Sequence, residues 1–341
     1  MIKFLVFADT HYKKRMYRTS VSDLEKIMKR AHDEGAEFVV HCGDFANDYK
    51  NSPEFLKTYL ENKYDLPVYG VYGNHELEAD NTMDIVSANL CNRKVNFGTA
   101  VYGEPACGYW YADIKNYRLI GLDTNYSYDN ESGVGKWEHN VTYHHPLENH
   151  VKDSLGAAQL GWLYDRIKEA YDEDKKVIVV SHAAFAKISF EWSPDAENVQ
   201  NIFSKFPGTV IMAMNGHYHT DNLKVIDNVC YFDVNTAVNG CWALQDKPHY
   251  KDTDTFEFTD YDENGNEIST TQMPFNKLSQ GFNAWSHKEP LSAVVTIDDD
   301  LKITIEGAKT EWDCGVIPPD LTDLGIHFKA EPEIENRIVQ L

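Results

Sequence analysis

No stretch of this 341-residue chain approaches the roughly eighteen consecutive apolar residues that a membrane span needs. The opening run, Ile2 to Ala8, is broken by Asp9. It is too short for the apolar core of a secretion signal with its flanks, and a first β-strand is the better reading. Cys-x-x-Cys pairs are lacking. The cysteines at 42, 91, 107, 230, 241 and 314 are scattered, which excludes a zinc ribbon and, in a chain this long, a disulfide scaffold. Reduced thiols and a cytoplasmic location are expected. The triplets at Asn125, Asn130 and Asn140 that could accept a glycan then mean little. Basic residues are few: 32 Lys and Arg against 54 Asp and Glu, a net charge of −22. Such a chain has nothing to offset phosphate repulsion, so neither nucleic acid nor an anionic membrane is expected as a partner. A small phosphate ester stays open, because a bound metal inverts the local field. No internal repeat and no Gly-, Pro- or Ser-rich linker interrupts the chain.

What is present is apolar and aromatic in amounts sufficient for a sizeable core, 42% and 13%. Ile2 to Ala8 is nearly all apolar, as in a strand buried on both faces. Ser22-Asp23-Leu24-Glu25 reads as a capping box opening a helix with a stripe at Leu24, Ile27, Met28 and Ala31, stopped at Gly35. Phe38-Val39-Val40 is a second strand, Ser52-Pro53 opens a helix to about Asn62, and Val68 to Tyr72 is a third strand. The order β-α-β-α-β implies an α/β core with parallel strands. Tyr109 to Tyr111 and Tyr117 to Asp123 read as neighbouring strands. Residues 125–154 are long, polar and aromatic with no regular period; a substrate lid and a surface loop packed on its own aromatics are both open. A helix at Gln159 to Ile167 follows, with strands at 177–180, 209–214 and 230–234. Beyond about Gln245 two hairpins are expected, one turning at Asn264-Gly265 and one across Asp298 to Asp300. The division expected is a core of residues 1–245 and a β-rich extension, 246–341, packed on it.

Five short motifs stand at the ends of five expected strands: Asp9-x-His11, Gly43-Asp44, Gly73-Asn74-His75-Glu76, His182 and Gly216-His217-x-His219. Open α/β sheets gather ligands beyond the carboxyl ends of their strands. Asp9, His11, Asp44, Asn74, His182, His217 and His219 can therefore converge. Carboxylate, imidazole and amide oxygen together suit Mn, Fe or Zn, and seven donors suit two ions sharing one carboxylate. Glycines at 43, 73 and 216 allow positive φ or close approach beside the donors.

These residues, in this order over roughly 1–240, resemble the calcineurin-like metallophosphoesterase superfamily. Leu122-Asp123-Thr124 and the Gln159…Trp162-Leu163 helix add to the likeness. The resemblance implies a four-layer α/β/β/α sandwich with a C-terminal β-hairpin extension. It implies that Asp9, His11 and His219 hold one ion, Asn74, His182 and His217 the other, and Asp44 bridges. His75 is then left beside the substrate as hydrogen-bond and proton donor, with Asp44 and Asn74 its partners in catalysis. The reaction expected is hydrolysis of a small phosphodiester by metal-activated water attacking in line, with two ions roughly 4 Å apart. A phosphomonoesterase, a nucleotide-diphosphate hydrolase and a non-catalytic metal-binding scaffold are the alternatives. His144-His145-Pro146 mimics the family's late histidine motif, but it precedes the Gln159 helix, whereas the ligand follows it; the late ligand is assigned to His182. Ser181-His182-Ala183-Ala184 lacks the proline usual there. Cys42 is read as a packing residue, Asp298 to Asp300 as a solvated turn, and Trp285 and Trp312 as core or sheet-edge residues.

Overall fold

The computed structural model of the protein describes residues 1–14, 18–47, 52–76, 90–98, 108–129, 135–137, 150–188, 192–241, 251, 253–262, 264–274, 285–313 and 331–341. The first third runs β1 (Ile2–Phe7), α1 (Val21–Asp33), β2 (Phe38–His41), α2 (Pro53–Leu60), β3 (Val68–Gly70). Next come β4 (Asn96–Phe97), β5 (Trp110–Ile114), β6 (Tyr117–Gly121), β7 (Tyr126–Asp129), β8 (Gly135–Trp137) and β9 (His150–Ser154). The middle continues with α3 (Gly156–Asp172), β10 (Lys176–Val180), α4 (Ala196–Ser204), β11 (Val210–Asn215), β12 (Asn222–Ile226) and β13 (Val229–Asp233). The chain closes with β14 (Asn239–Cys241), β15 (Thr255–Tyr261), β16 (Glu267–Pro274), β17 (Trp285–Ser286), β18 (Ala293–Ile297), β19 (Lys302–Glu306) and β20 (Arg337–Gln340).

Two sheets carry the fold. One has the order β20-β19-β18-β1-β2-β3 and the other β12-β13-β11-β10-β6-β5-β4. Strands β1, β2 and β3 are parallel, as are β6, β10, β11 and β13. The apolar run of β1 is explained by its two faces. Ile2, Phe4 and Val6 enter a core shared with Ile178, Val180, Met212 and Met214 of the other sheet. Leu5 and Phe7 face the opposite way, onto Leu24, Ile27 and Met28 of α1. Val177 and Val179 of β10 likewise pack on Leu163 and Ile167 of α3 and Val199 of α4. Three apolar layers between helices, sheet, sheet and helices give the four-layer order.

Some local readings are corrected. The N-cap of α1 is Ser20, not Ser22: the Ser20 hydroxyl accepts from the Asp23 backbone N–H, and the Asp23 carboxylate accepts from the Ser20 N–H. Val21 is buried with the stripe, so the helix must begin two residues earlier than the Ser-x-x-Glu pattern indicates. Ser52 makes no side-chain cap, and α2 starts on Pro53 alone. The 125–154 stretch is not without regular structure: β7 pairs with both β8 and β9 in a small antiparallel sheet. Its His144-His145-Pro146, Asn130 and Asn140 lie outside the described residues.

The two late hairpins are found, in different places. The β15–β16 hairpin forms a separate two-stranded sheet, held to α2 by Lys57 Nζ on Asn264 O and Asn266 Oδ1. The 293–306 hairpin enters the middle of the first sheet, with β18 antiparallel to β1 from Ile2↔Ile297 to Val6↔Ala293. Trp285 and Trp312 are buried. Asp298 makes a turn, its Oδ1 accepting from Asp300 N and Lys302 N. Among the described residues no helix is long and apolar enough to cross a membrane.

A chain cut after residue 245 would leave β1 without its neighbour and its fully buried Ala293, Val294, Val295 and Ile297 contacts. Such a fragment is expected to lose cooperative thermal unfolding by circular dichroism. In the full chain, Ile297→Ala should cost about 2–5 kcal/mol in urea denaturation.

Candidate metal centre

Each motif follows a strand end, three in the first sheet and two in the second. Asp9 and His11 follow β1, Asp44 follows β2, Asn74 and His75 follow β3, His182 follows β10, and His217 and His219 follow β11. The parallel ladder continues past the strands into the loops: Asp9 N donates to Gly43 O (3.1 Å), His11 N to Asp44 O (2.9 Å) and Tyr12 N to Phe45 O (3.1 Å).

All seven expected donors are brought together. Asp9, His11 and His219 form one trio and Asp44, His182 and His217 another, each with ligand atoms within 4.8 Å of one another; His11, Asp44 and His75 form a third between them. His11 Nε2 lies 3.0 Å from His219 Nε2. His182 Nε2 lies 3.1 Å from Asp44 Oδ2, 3.1 Å from His217 Nδ1 and 3.2 Å from Asn74 Oδ1. The backbone supports this crowding at a strain. Asp9, His11, Asp44, His217 and His219 all have positive φ, from 47° to 73°, a conformation that costs a non-glycine residue about 1–3 kcal/mol. Gly43 (φ 96°) takes the same region, and a Cβ there would strike the His182 ring; one at Gly216 would strike the Asp9 carboxylate.

Tautomers follow from the outer contacts. His182 Nδ1 is 2.8 Å from Cys42 O, and a carbonyl only accepts, so Nδ1 bears a proton and donates it. The neutral ring would then turn a bare Nε2 on Asp44, His217 and Asn74. Burial opposes charge on His182, but the Asp44 carboxylate, together with Asp9 and the Cys42 carbonyl, outweighs it and raises the group to about 10. Burial works against the Asp44 charge too, and His182, His75 and His11 together hold it well below the carboxylate range. Burial, followed by the His182 charge, keeps His217 well below the usual histidine range. A buried nest of carboxylates and ring nitrogens that must hold a cation at its middle fits a metal pair by its donor chemistry.

Three residues here escaped the sequence reading or gained a role. Asn47 spans His11 and His75: its Oδ1 is 3.0 Å from His11 Nδ1, and its Nδ2 is 3.1 Å from His75 Nδ1. The amide therefore leaves His11 Nε2 bare and puts the His75 proton on Nε2. Glu76, fully buried, accepts from the backbone N–H groups of Gly73 (2.6 Å), Asp44 (2.8 Å), Phe45 (2.7 Å) and Ala46 (3.1 Å). It ties the loop after β2 to the loop after β3. Burial, then the Asp44 charge, pushes it up to about 7. Gln159 closes a pair of hydrogen bonds with the Asp123 backbone, fixing the start of the loop that leads to β7. Cys42 is buried and contributes its carbonyl. The His75 side chain, 20% exposed, is the most open of the histidines of the centre, against 1% for His11 and His182.

The family model for calcineurin-like phosphoesterases matches residues 2–221. A dimetal phosphatase from Danio rerio has a similar structure, with a TM-score of 0.57 at 15% identity, covering 90% of this chain and 95% of that one. GAP50, the anchor in the inner membrane complex of Plasmodium, covers 98% and 89% at 12% identity and a TM-score of 0.47. A purple acid phosphatase from yellow lupin (Lupinus luteus) seeds covers 98% and 53% at 10% identity and 0.45. Likenesses this remote concern the fold alone, and the first is the one close enough to bear on it. No curated protein sequence matches.

Glu76→Ala would leave four buried backbone donors without their acceptor. The loss expected is about 3 kcal/mol or more, read from urea unfolding of the metal-free chain. An unchanged midpoint would remove Glu76 from this role.

Proposed function

The chain belongs to the calcineurin-like phosphoesterase family and is a hydrolase of phosphate esters; we propose that its substrate is a small phosphodiester. In this reading Asp9, His11 and His219 hold one metal ion, Asn74, His182 and His217 hold a second, and Asp44 bridges them. The observation that carries it is the convergence of all seven donors beside His75, whose Nδ1 accepts from Asn47 and whose Nε2 bears the proton. When bound, a divalent pair supplies Lewis acidity to a phosphoryl oxygen and lowers the pKa of a water. Mn, Fe and Zn all suit the mixed nitrogen and oxygen set.

The chain's own groups do the rest. Asn47 donates to His75 Nδ1, which keeps Nε2–H as a donor 4.0 Å from Asp44 Oδ2 on the most open ring of the centre. That donor is placed to hydrogen-bond a phosphoryl oxygen and to give a proton to the departing alkoxide. Asp44 orients it: Asp44 Oδ1 accepts the His75 backbone N–H at 2.9 Å. Asp9 is held from behind by the His217 backbone N–H, which lies within 3.1 Å of both its oxygens. No side-chain nucleophile is needed.

The diester preference rests on charge. The groups that act most strongly on Asp44, His182 and His217 are other Asp and His side chains, and the chain carries −22 overall. The long-range field of so acidic a chain repels a doubly charged monoester more than a singly charged diester before either reaches the metal ions. Phosphomonoesters are the second reading.

The Mn-loaded chain should hydrolyse bis-(4-nitrophenyl) phosphate faster than 4-nitrophenyl phosphate. The reverse order would favour a monoesterase, and no turnover of either would remove the enzymatic reading. Asp44→Asn should reduce metal content at both positions by atomic absorption. His75→Ala should keep two equivalents of metal and lower kcat by about 10²–10⁴; loss of metal from that variant would make His75 a ligand instead.

A further inference from the structure

Asp153, near the end of β9, stands 64 positions before His217 in sequence, yet the two meet beside the centre: Asp153 Oδ2 lies 3.9 Å from His217 Nε2. The other nitrogen of that ring, Nδ1, points inward at His182 Nε2, 3.1 Å away. The imidazole therefore stands between the centre on one side and a carboxylate on the other.

 Asp153 itself is held in the left-handed region, φ 58°, a strained conformation that the surroundings must impose.

Those surroundings are tied to the same loops that form the centre. The Ser193 hydroxyl donates to the Asp153 backbone carbonyl at 2.5 Å, and the Asp195 carboxylate accepts from Leu155 N at 2.8 Å. Ser193 N in turn donates to Ala184 O, two residues beyond His182. On the other side β9 pairs with β7, which leaves the Asp123-Thr124-Asn125 turn at the end of β6. Thr124 Oγ1 accepts from Ala183 N at 3.3 Å. Both flanks of Asp153 are thus anchored to the segment that carries His182.

We propose that Asp153 is a positioning residue for the metal centre: its carboxylate takes the His217 Nε2 proton as a hydrogen-bond partner and so presents Nδ1 to the metal. A carboxylate behind a ligating imidazole fixes the ring's tautomer and orientation and raises its basicity. At 3.9 Å the pair stands within about 1 Å of hydrogen-bond reach. The small β7-β8-β9 sheet then has a definite task, which is to bring one carboxylate to the back of His217. This inference rests on the dimetal reading, because it takes His217 as a ligand.

The test is Mn²⁺ titration of the metal-free full-length chain by calorimetry, for wild type, Asp153→Ala and Asp153→Asn. Wild type should bind two equivalents. Asp153→Ala should weaken one of them by about 10–100-fold and leave the other within about twofold, and Asp153→Asn, which keeps the shape and loses the charge, should weaken the same one by roughly threefold or more. Asp153→Glu should restore part of the loss, which a space-filling role would not do. Imidazole nitrogen NMR of the metal-free chain gives a readout independent of metal: the His217 Nε2–H form should dominate in wild type and give way in Asp153→Ala. Wild-type affinity at both positions in Asp153→Asn, together with an unchanged His217 signal in Asp153→Ala, overturns the proposal and leaves the dimetal reading standing. A wild-type chain that binds no Mn²⁺ overturns both.

Discussion

The structure is organised around electron-rich atoms forced to face one another out of water. His182 Nε2 meets Asp44 Oδ2, His217 Nδ1 and Asn74 Oδ1 within 3.2 Å, and His11 Nε2 meets His219 Nε2 at 3.0 Å. Such an arrangement is unfavourable unless positive charge sits among them. Against its burial, the Asp44 carboxylate accordingly favours a charged, protonated His182, raised to about 10, while burial first of all holds His11 and His217 down. Metal ions would replace that proton and relieve the remaining repulsion, so metal binding and folding stability are coupled through these side chains.

Holding the donors apart from water also strains the backbone. Five of the seven have positive φ, and the sum of those strains, at about 1–3 kcal/mol each, is comparable with the net stability of a domain. What offsets it is close at hand. The β1–β2 ladder runs on through Asp9, His11 and Tyr12, so the strained residues still satisfy their backbone groups. Glu76 gathers four N–H groups from two loops. Behind them lies the apolar layer between the sheets, in which β18 supplies Ala293, Val295 and Ile297. The late strands thus stabilise the early motifs, although nearly three hundred residues separate Ile2 from its partner Ile297.

Strand-end motifs were legible in the sequence for a physical reason. Strands buried on both faces appear as nearly continuous apolar runs, as in Ile2–Phe7 and Val177–Val180, and a polar motif that ends such a run has only the rim of the sheet to occupy. The antiparallel placement of β18 beside β1 was not legible, because the same apolar hairpin would serve as well at an edge. Asn47 and Asp153 carry no periodicity and belong to no repeated pattern; their meaning comes from distances across the fold, 3.0 Å to His11 and 3.9 Å to His217. The Ser20 cap was missed because Asp23 can close a box as Glu does, two residues before the Ser-x-x-Glu that stands out. The β7-β8-β9 sheet was missed because its strands are short and its longest connection lies in polar, aromatic sequence.

Ring tautomers connect these observations. A histidine next to a metal and a histidine next to a substrate need opposite arrangements at Nε2, the first a bare lone pair and the second a proton. Sequence alone places His11, His75 and His182 in similar surroundings at strand ends. The structure separates them by what touches Nδ1. At His182 it is a carbonyl, Cys42 O, and at His11 it is the oxygen of the Asn47 amide; both accept, so the neutral form of each ring has its proton on Nδ1 and a bare Nε2 to offer a metal. At His75 it is the nitrogen of that same amide, which donates and leaves the proton on Nε2. One asparagine therefore assigns opposite tasks to two neighbouring histidines. It can do so because an amide carries an acceptor and a donor on one carbon. An aspartate at 47 would accept from both rings. It would leave His11 as it is but move the His75 proton to Nδ1, unless His75 took up a second proton and became charged. The choice of asparagine thus keeps the His75 Nε2–H donor facing Asp44 while leaving the His11 lone pair free for a metal.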